Sequence, residues 1–232
     1  MKMDFTAEKI NEYESLIKSR LSEYRYNHSM NVAKSAVYLA EKYGADCEKA
    51  YVAGVLHDIM KEESLEIQQQ FIESDGYKMT GTELAVPSVY HQMSGAAYCK
   101  KVLGIDDDEI IGAIRFHTTG KADMTLLEKV VYTADFISAE RNYPDVDIMR
   151  RLADENLEIV NKKVGEIPFS LENPPIAINA NMQQINWGLK FPYRSVARKT
   201  PKSTTPISRV QEIELYPYGC CKLRMTEMPI LK

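Results

Sequence analysis

Apolar residues recur along the first 160 positions at the three- and four-residue spacing of one helical face, and only then does the pattern change. Thr6–Ser22 carries Ile10, Tyr13, Leu16, Ile17 and Leu21 on one side. A second helix is predicted from about Asn27 to Tyr43 on the stripe Val32, Ala36 and Leu39, with Gly44 where a left-handed C-cap belongs. Asp46 is placed to N-cap a third, Glu48–Asp58. Ser64–Ser74 makes a fourth, ended by Asp75-Gly76, and Lys78–Pro87 reads as a loop. Helices follow over His91–Leu103, Asp107–His117 and Leu126–Ala139. Asp145–Lys163 supplies a last one with Val146, Met149, Leu152, Leu157 and Val160. Tyr38, Tyr43, Tyr51 and Tyr98 fall at helical spacings and are expected in the core.

The remainder alternates instead. Ile176, Ile178, Ala180 and Met182 are separated by single residues, which is strand periodicity, and Lys199–Pro206 is a polar loop. Val210–Tyr216 and Cys221–Met225 flank Pro217-Tyr218-Gly219 as a hairpin would. Two or three short strands cannot close a core alone, so such a segment must lean on the helices or pair with another chain. The expected architecture is therefore an all-α bundle over residues 1–164 and a Pro-rich, β-forming extension over residues 165–232.

Charge divides the chain of 232 residues at the same place. Residues 1–160 hold 18 basic and 28 acidic side chains, a net of −10, whereas residues 161–232 hold 11 and 5, a net of +6. Two of the ten prolines lie in the first part and eight in the second. An acidic helical part is a poor surface for nucleic acid. No stretch approaches the apolar length of a membrane span, and the charged opening Met1–Ile10 is unlike a secretory leader. Cys47, Cys99, Cys220 and Cys221 form no C-x-x-C pair, and free thiols in a reducing cytoplasm are expected. Neither nucleic acid nor a membrane is expected as a partner, and a second copy of the chain would suit an exposed strand edge.

The chemistry lies in where His and Asp fall on the helical stripes. His28 stands four residues before Val32; His57 and Asp58 end the run Tyr-Val-Ala-Gly-Val-Leu; His117 follows Ala113 and Ile114; Asp135 follows Leu127 and Val131 at helical spacing. A carboxylate on a core-facing stripe needs a partner, and a divalent metal is one. Imidazole beside carboxylate is a common transition-metal ligand set. Any one of these histidines alone would be read as structural; four histidines and two aspartates near inner helix ends point to a metal centre.

Together, His28, His57-Asp58, His91, His117 and Asp135 resemble the HD-domain metal-dependent phosphohydrolases. The wording Arg25-Tyr26-Asn27-His28, His57-Asp58-Ile59-Met60-Lys61, Arg115-Phe116-His117-Thr118-Thr119-Gly120 and Ala134-Asp135-Phe136-Ile137, with Arg141 beyond, is similar to the bacterial HD-type symmetrical diadenosine tetraphosphatases. The resemblance covers roughly residues 8–160 and implies an HD-domain helical bundle. It implies two divalent ions, iron foremost, with manganese or another transition ion able to use similar ligands. His28, His57, Asp58 and Asp135 would hold the first ion, His91 and His117 the second, with Asp58 bridging. Metal-activated water would attack phosphorus and split a bis(5′-nucleosyl) tetraphosphate into two nucleoside diphosphates. Lys61 would assist at the phosphates as a point charge, and Thr118, Thr119 and Gly120 would bind phosphate through hydroxyls and backbone N–H groups. Arg141 would clamp the leaving diphosphate. Arg25 and Arg115 are read as structural or as supports behind the ligands. The alternatives are another HD-domain nucleotide phosphohydrolase or phosphodiesterase, or a regulatory module that keeps metal and nucleotide without turnover. The segment after 160 departs from the helical ending expected of this family; Glu212–Pro229 faintly resembles the final β segment of some β-L-arabinofuranosidase-type glycoside hydrolases, without a catalytic pair.

Overall fold

The computed structural model describes residues 5–165 and, beyond them, the short strands β1 (Glu214–Leu215) and β2 (Cys221–Lys222). Those strands pair antiparallel, Glu214 opposite Lys222 and Leu215 opposite Cys221, inside the two segments expected to form a hairpin. The alternating stretch at 176–183 and the polar loop at 199–206 lie outside the described residues.

Ten α-helices make up the rest of the described residues: α1 (Ala7–Arg20), α2 (Glu23–Tyr43), α3 (Cys47–Leu56), α4 (Leu65–Ser74), α5 (Gly81–Leu84), α6 (Tyr90–Lys101), α7 (Asp108–Phe116), α8 (Leu126–Ile137), α9 (Val146–Glu155) and α10 (Leu157–Gly165). None among the described residues is long and apolar enough to cross a membrane. Short polar side chains start them. Thr6, Ser22, Asp46, Ser64, Asp107 and Thr125 each accept a hydrogen bond from a backbone N–H of the first turn. At the far end of α2, Gly44 takes φ +80°, a conformation that costs other residues.

Most helix ends fall within two residues of the expected ones, α3 stopping at Leu56 so that His57 and Asp58 lie in the turn beyond it, and three places differ by more. The α2 helix begins at Glu23 rather than Asn27, because Ser22 caps it and carries Arg25 and Asn27 into its first turns. Within 78–87, expected as a loop, Thr80 and Glu83 close a reciprocal capping box around α5, and Pro87–Val89 adds a 3₁₀ turn. The last expected helix is two: Asn156 turns to extended backbone (φ −162°) and its side chain then caps the start of α10.

The core forms where α2 packs along α3 and α8, with α7 against α3, α6 and α8, and α4 against α6. The α2–α3 crossing is very close. A Cβ at Gly54 would stand 2.6 Å from Ala33 Cα, so only glycine allows it. Tyr51 and Tyr98 are buried as expected, and Tyr43 partly so, but Tyr38 is 51% exposed. It sits on the outer side of α2, where its hydroxyl bonds Asp154. Cys99 is a buried free thiol.

Candidate metal centre

His28 lies in the second turn of α2, and the same stripe that buries Val32 and Ala36 carries its imidazole inward. Every residue of Tyr51–Leu56 is buried. That run drives the end of α3 and the turn after it into the core, where His57 and Asp58 are 0% and 3% exposed. His91 comes from the first turn of α6, His117 from the residue after α7, and Asp135 from the last turn of α8. Five separate stretches of backbone thus deliver six donor side chains to one place.

Asp58 stands in the middle of them. Its Oδ1 lies 3.3 Å from His91 Nε2 and 3.5 Å from His117 Nε2. Its Oδ2 lies 3.6 Å from His57 Nε2 and 3.8 Å from His28 Nε2. Asp135 Oδ1 closes the side of His28, 3.1 Å from Nε2. Three sets of donor atoms each gather within 4.8 Å: His28, His57 and Asp58; His57, His117 and Asp135; and Asp58, His91 and His117.

The rings are oriented from behind. His57 Nδ1 donates to the Gly54 carbonyl at 2.7 Å, His117 Nδ1 to Ile114 at 2.7 Å, and His91 Nδ1 to Ser88 at 2.8 Å. His28 Nδ1 donates to Glu140 Oε1 at 2.5 Å, and the other oxygen of Glu140 accepts from Asn31 Nδ2 at 2.8 Å. With Nδ1 donating outward, every Nε2 points to the centre, where a ring that carries no second proton presents a lone pair. His28 and His57 Nε2 are then 3.3 Å apart, and His91 and His117 Nε2 3.1 Å apart. Each pair needs a positive charge between its nitrogens: a proton, which His28 is basic enough to hold, or a metal cation that takes its place. Four imidazole nitrogens and two carboxylates, oriented in this way, fit a divalent transition metal.

Protonation follows the same layout. Burial pulls His57 down to about 4. Burial, together with the Lys61 ammonium, holds His91 well below the usual imidazole range. Burial would lower His28 too, but its hydrogen bonds to Asp135 and Glu140 outweigh it and raise the ring to about 9. Burial opposes ionisation of Asp58 and Asp135; Lys61 and His57 beside the first, and Arg141 and His28 beside the second, nevertheless keep both well below the carboxylate range.

Cations ring the cluster. Arg25 Nη1 is 3.1 Å from Asp58 Oδ2. Arg141 donates through Nε to the Asp135 carbonyl at 2.8 Å and through Nη2 to its Oδ1. Lys61 is no solvated helix-end lysine: its Nζ lies 3.1 Å from His91 Nε2, and burial lowers its pKa against the pull of Asp58. Arg115 pairs instead with Glu83 at 2.6 Å, away from the six donors.

The turn Thr118-Thr119-Gly120 is bound into the protein more than its sequence suggests. Gln92 Oε1 accepts from the backbone N–H of Thr118 and of Thr119, each at 3.2 Å, and the Gly120 N–H donates to Phe116 at 2.9 Å. Thr119 Oγ1 accepts from Gln92 Nε2 at 3.0 Å. The Thr118 hydroxyl, 3.1 Å from His91 Nε2, is the polar group of this turn that faces the imidazoles. Gly120 takes φ +62°, which suits a helix C-terminal turn.

A helical bundle that gathers His and Asp from successive helices around one buried His-Asp pair defines an HD-domain protein, and the HD domain family matches residues 25–140. The chain is 41% identical over 142 residues to the symmetrical bis(5′-nucleosyl)-tetraphosphatase of Bacillus subtilis (strain 168), spanning 61% of this chain and 75% of that protein. It is 38% identical over 168 residues to the protein of the same name from Halalkalibacterium halodurans, spanning 69% and 87%. A crystal structure described as a "predicted HD superfamily hydrolase involved in NAD metabolism", from Clostridium acetobutylicum, superposes with a TM-score of 0.62 at 33% identity, covering 74% of this chain and 97% of that one. The chain belongs to the HD-domain family, in the group of the symmetrical bis(5′-nucleosyl)-tetraphosphatases.

Sequence reasoning placed the six donors, Lys61, Thr118 and Arg141 around one centre, and the structure brings them together. It missed Glu140, Asn31 and Gln92; Arg25, read as structural or as a support behind the ligands, stands against Asp58 in the second of these places. Glu140 had one visible signal, its place beside Arg141 just past a helix end. Gln92 had its place beside His91.

Proposed function

We infer that this chain is a metal-dependent hydrolase that cleaves bis(5′-nucleosyl) tetraphosphates, diadenosine tetraphosphate among them, symmetrically into two nucleoside diphosphates. One observation carries the arrangement of the centre: the two oxygens of Asp58 are shared out, Oδ1 to His91 and His117, Oδ2 to His28 and His57. A carboxylate divided in this way suits a bridge between two ions. His28, His57, Asp58 and Asp135 would hold one and Asp58, His91 and His117 the other. The N/O donor set suits iron, and manganese could use the same atoms. Such a pair supplies positive charge for the phosphoryl oxygens and lowers the pKa of water at the site.

The chain's own residues do the rest. Lys61, held beside His91 and Asp58, offers an ammonium to a phosphate oxygen. The Thr118 hydroxyl can donate on the same side. Arg141 keeps Asp135 ionised and in place, and its guanidinium also borders the path of the diphosphate. Every one of these groups lies within residues 1–164, the proposed catalytic domain; residues 165–232 form the basic extension.

Asp58→Ala is the direct test. Elemental analysis of the purified variant should find both ions lost, and chromatography should find no ADP released from diadenosine tetraphosphate. A variant that kept full activity would refute the assignment.

A further inference from the structure

The inward stripe of α2 is buried from His28 onward: His28, Val32 and Ala36 are 1%, 0% and 0% exposed. Tyr24 lies one turn earlier on that same stripe and is 61% exposed. Arg25 ties its ring to the centre. The guanidinium carbon is 5.7 Å from the ring centroid, while Nη1 of the same group is 3.1 Å from Asp58 Oδ2. Arg141 stands on the neighbouring ligand: it grips Asp135, whose Oδ1 is 3.1 Å from His28 Nε2, one turn along α2 from Tyr24. Other exposed tyrosines are engaged: Tyr38 bonds Asp154, and Tyr77 bonds Glu83 and Arg115. Among the described residues no hydrogen bond holds the Tyr24 hydroxyl.

An open aromatic face beside one guanidinium, with a second on the next ligand, at the rim of a phosphate-cleaving centre, has the make-up of a nucleotide platform. Every base has a π-face, and stacking on an aromatic side chain needs no sequence-specific hydrogen bonds. We propose that Tyr24 is the surface on which one base of the dinucleoside substrate stacks, with Arg25 and Arg141 flanking the phosphates next to it. This rests on the hydrolase reading above and adds to it a residue that recognises the base.

The test compares a ligand that has a base with one that lacks it. Affinities of the full-length, metal-loaded protein for ADP and for pyrophosphate are measured by calorimetry in wild type, Tyr24→Ala and Tyr24→Trp. Tyr24→Ala should weaken ADP about tenfold and leave pyrophosphate within about twofold, and Tyr24→Trp should retain ADP. With diadenosine tetraphosphate, Tyr24→Ala should raise KM and leave kcat nearly unchanged. Equal losses for ADP and pyrophosphate, undiminished ADP binding in Tyr24→Ala, or a Trp variant as weak as the Ala variant would each overturn the proposal. Failure of the hydrolase reading looks different: wild type would release no ADP from diadenosine tetraphosphate. The two affinities would still decide the role of Tyr24.

Discussion

Glu140 follows the end of α8 by three residues and belongs to no helical face, yet its carboxylate receives His28 Nδ1 and the Asn31 amide. A carboxylate behind an imidazole fixes the tautomer, aims the ring and makes the front nitrogen a stronger donor. Glu140→Ala should therefore weaken metal binding by about 10- to 100-fold, measured by competition against a chelator of known affinity. Unchanged affinity would mean that the stripe of α2 aims His28 unaided. The contrast with the six donors explains what the sequence could reveal at this scale. His28, His57, Asp58, His117 and Asp135 lie on or next to apolar stripes, where a polar residue is conspicuous and its direction can be counted out. Glu140 meets His28 across 112 positions, and no local pattern reports such a meeting. Gln92 was hidden for a similar reason: its amide matters because α6 runs beside the turn after α7.

Between α2 and α3 the backbones approach until Gly54 faces Ala33 with no room for a methyl group. The same Gly54 carbonyl accepts from His57 Nδ1, so the tight crossing and the orientation of a donor share one peptide. Gly54→Ala should destabilise the fold by about 1–3 kcal/mol, the usual cost of overpacking, read from the midpoint of chemical denaturation. A variant as stable as wild type would show that the crossing can open cheaply. Most helices were legible because their stripes run for several turns and their caps are Ser, Thr or Asp. The misread places have local causes. The α5 helix is one turn long, too short to show periodicity, though Thr80 and Glu83 spell its cap. The break at Asn156 leaves the apolar spacing of Val146–Val160 nearly continuous, so only the side-chain cap to Glu158 marks it. Tyr38 fits a helical spacing as well as Tyr51 does; which side of α2 is covered depends on where α3 and α8 pack, and Tyr38 is left exposed with its hydroxyl on Asp154 of α9.

Across the whole chain, the acidic helical part and the basic, Pro-rich remainder differ in charge and in residue pattern, and every candidate donor and proposed phosphate-facing group named above lies in the former. Removal of the residues after 165 should therefore leave turnover of diadenosine tetraphosphate within about an order of magnitude in a protein that still folds. Complete loss, with the helical circular dichroism signal intact, would place a necessary group in the removed part. The donors themselves are spread from position 28 to position 135, and no two neighbouring helices supply them all. A growing polypeptide consequently passes through most of its length with an incomplete ligand set, and acquires the last carboxylate only when α8 has been made. The complete ligand set of this molecule is thus a product of long-range assembly, available only once distant segments have met.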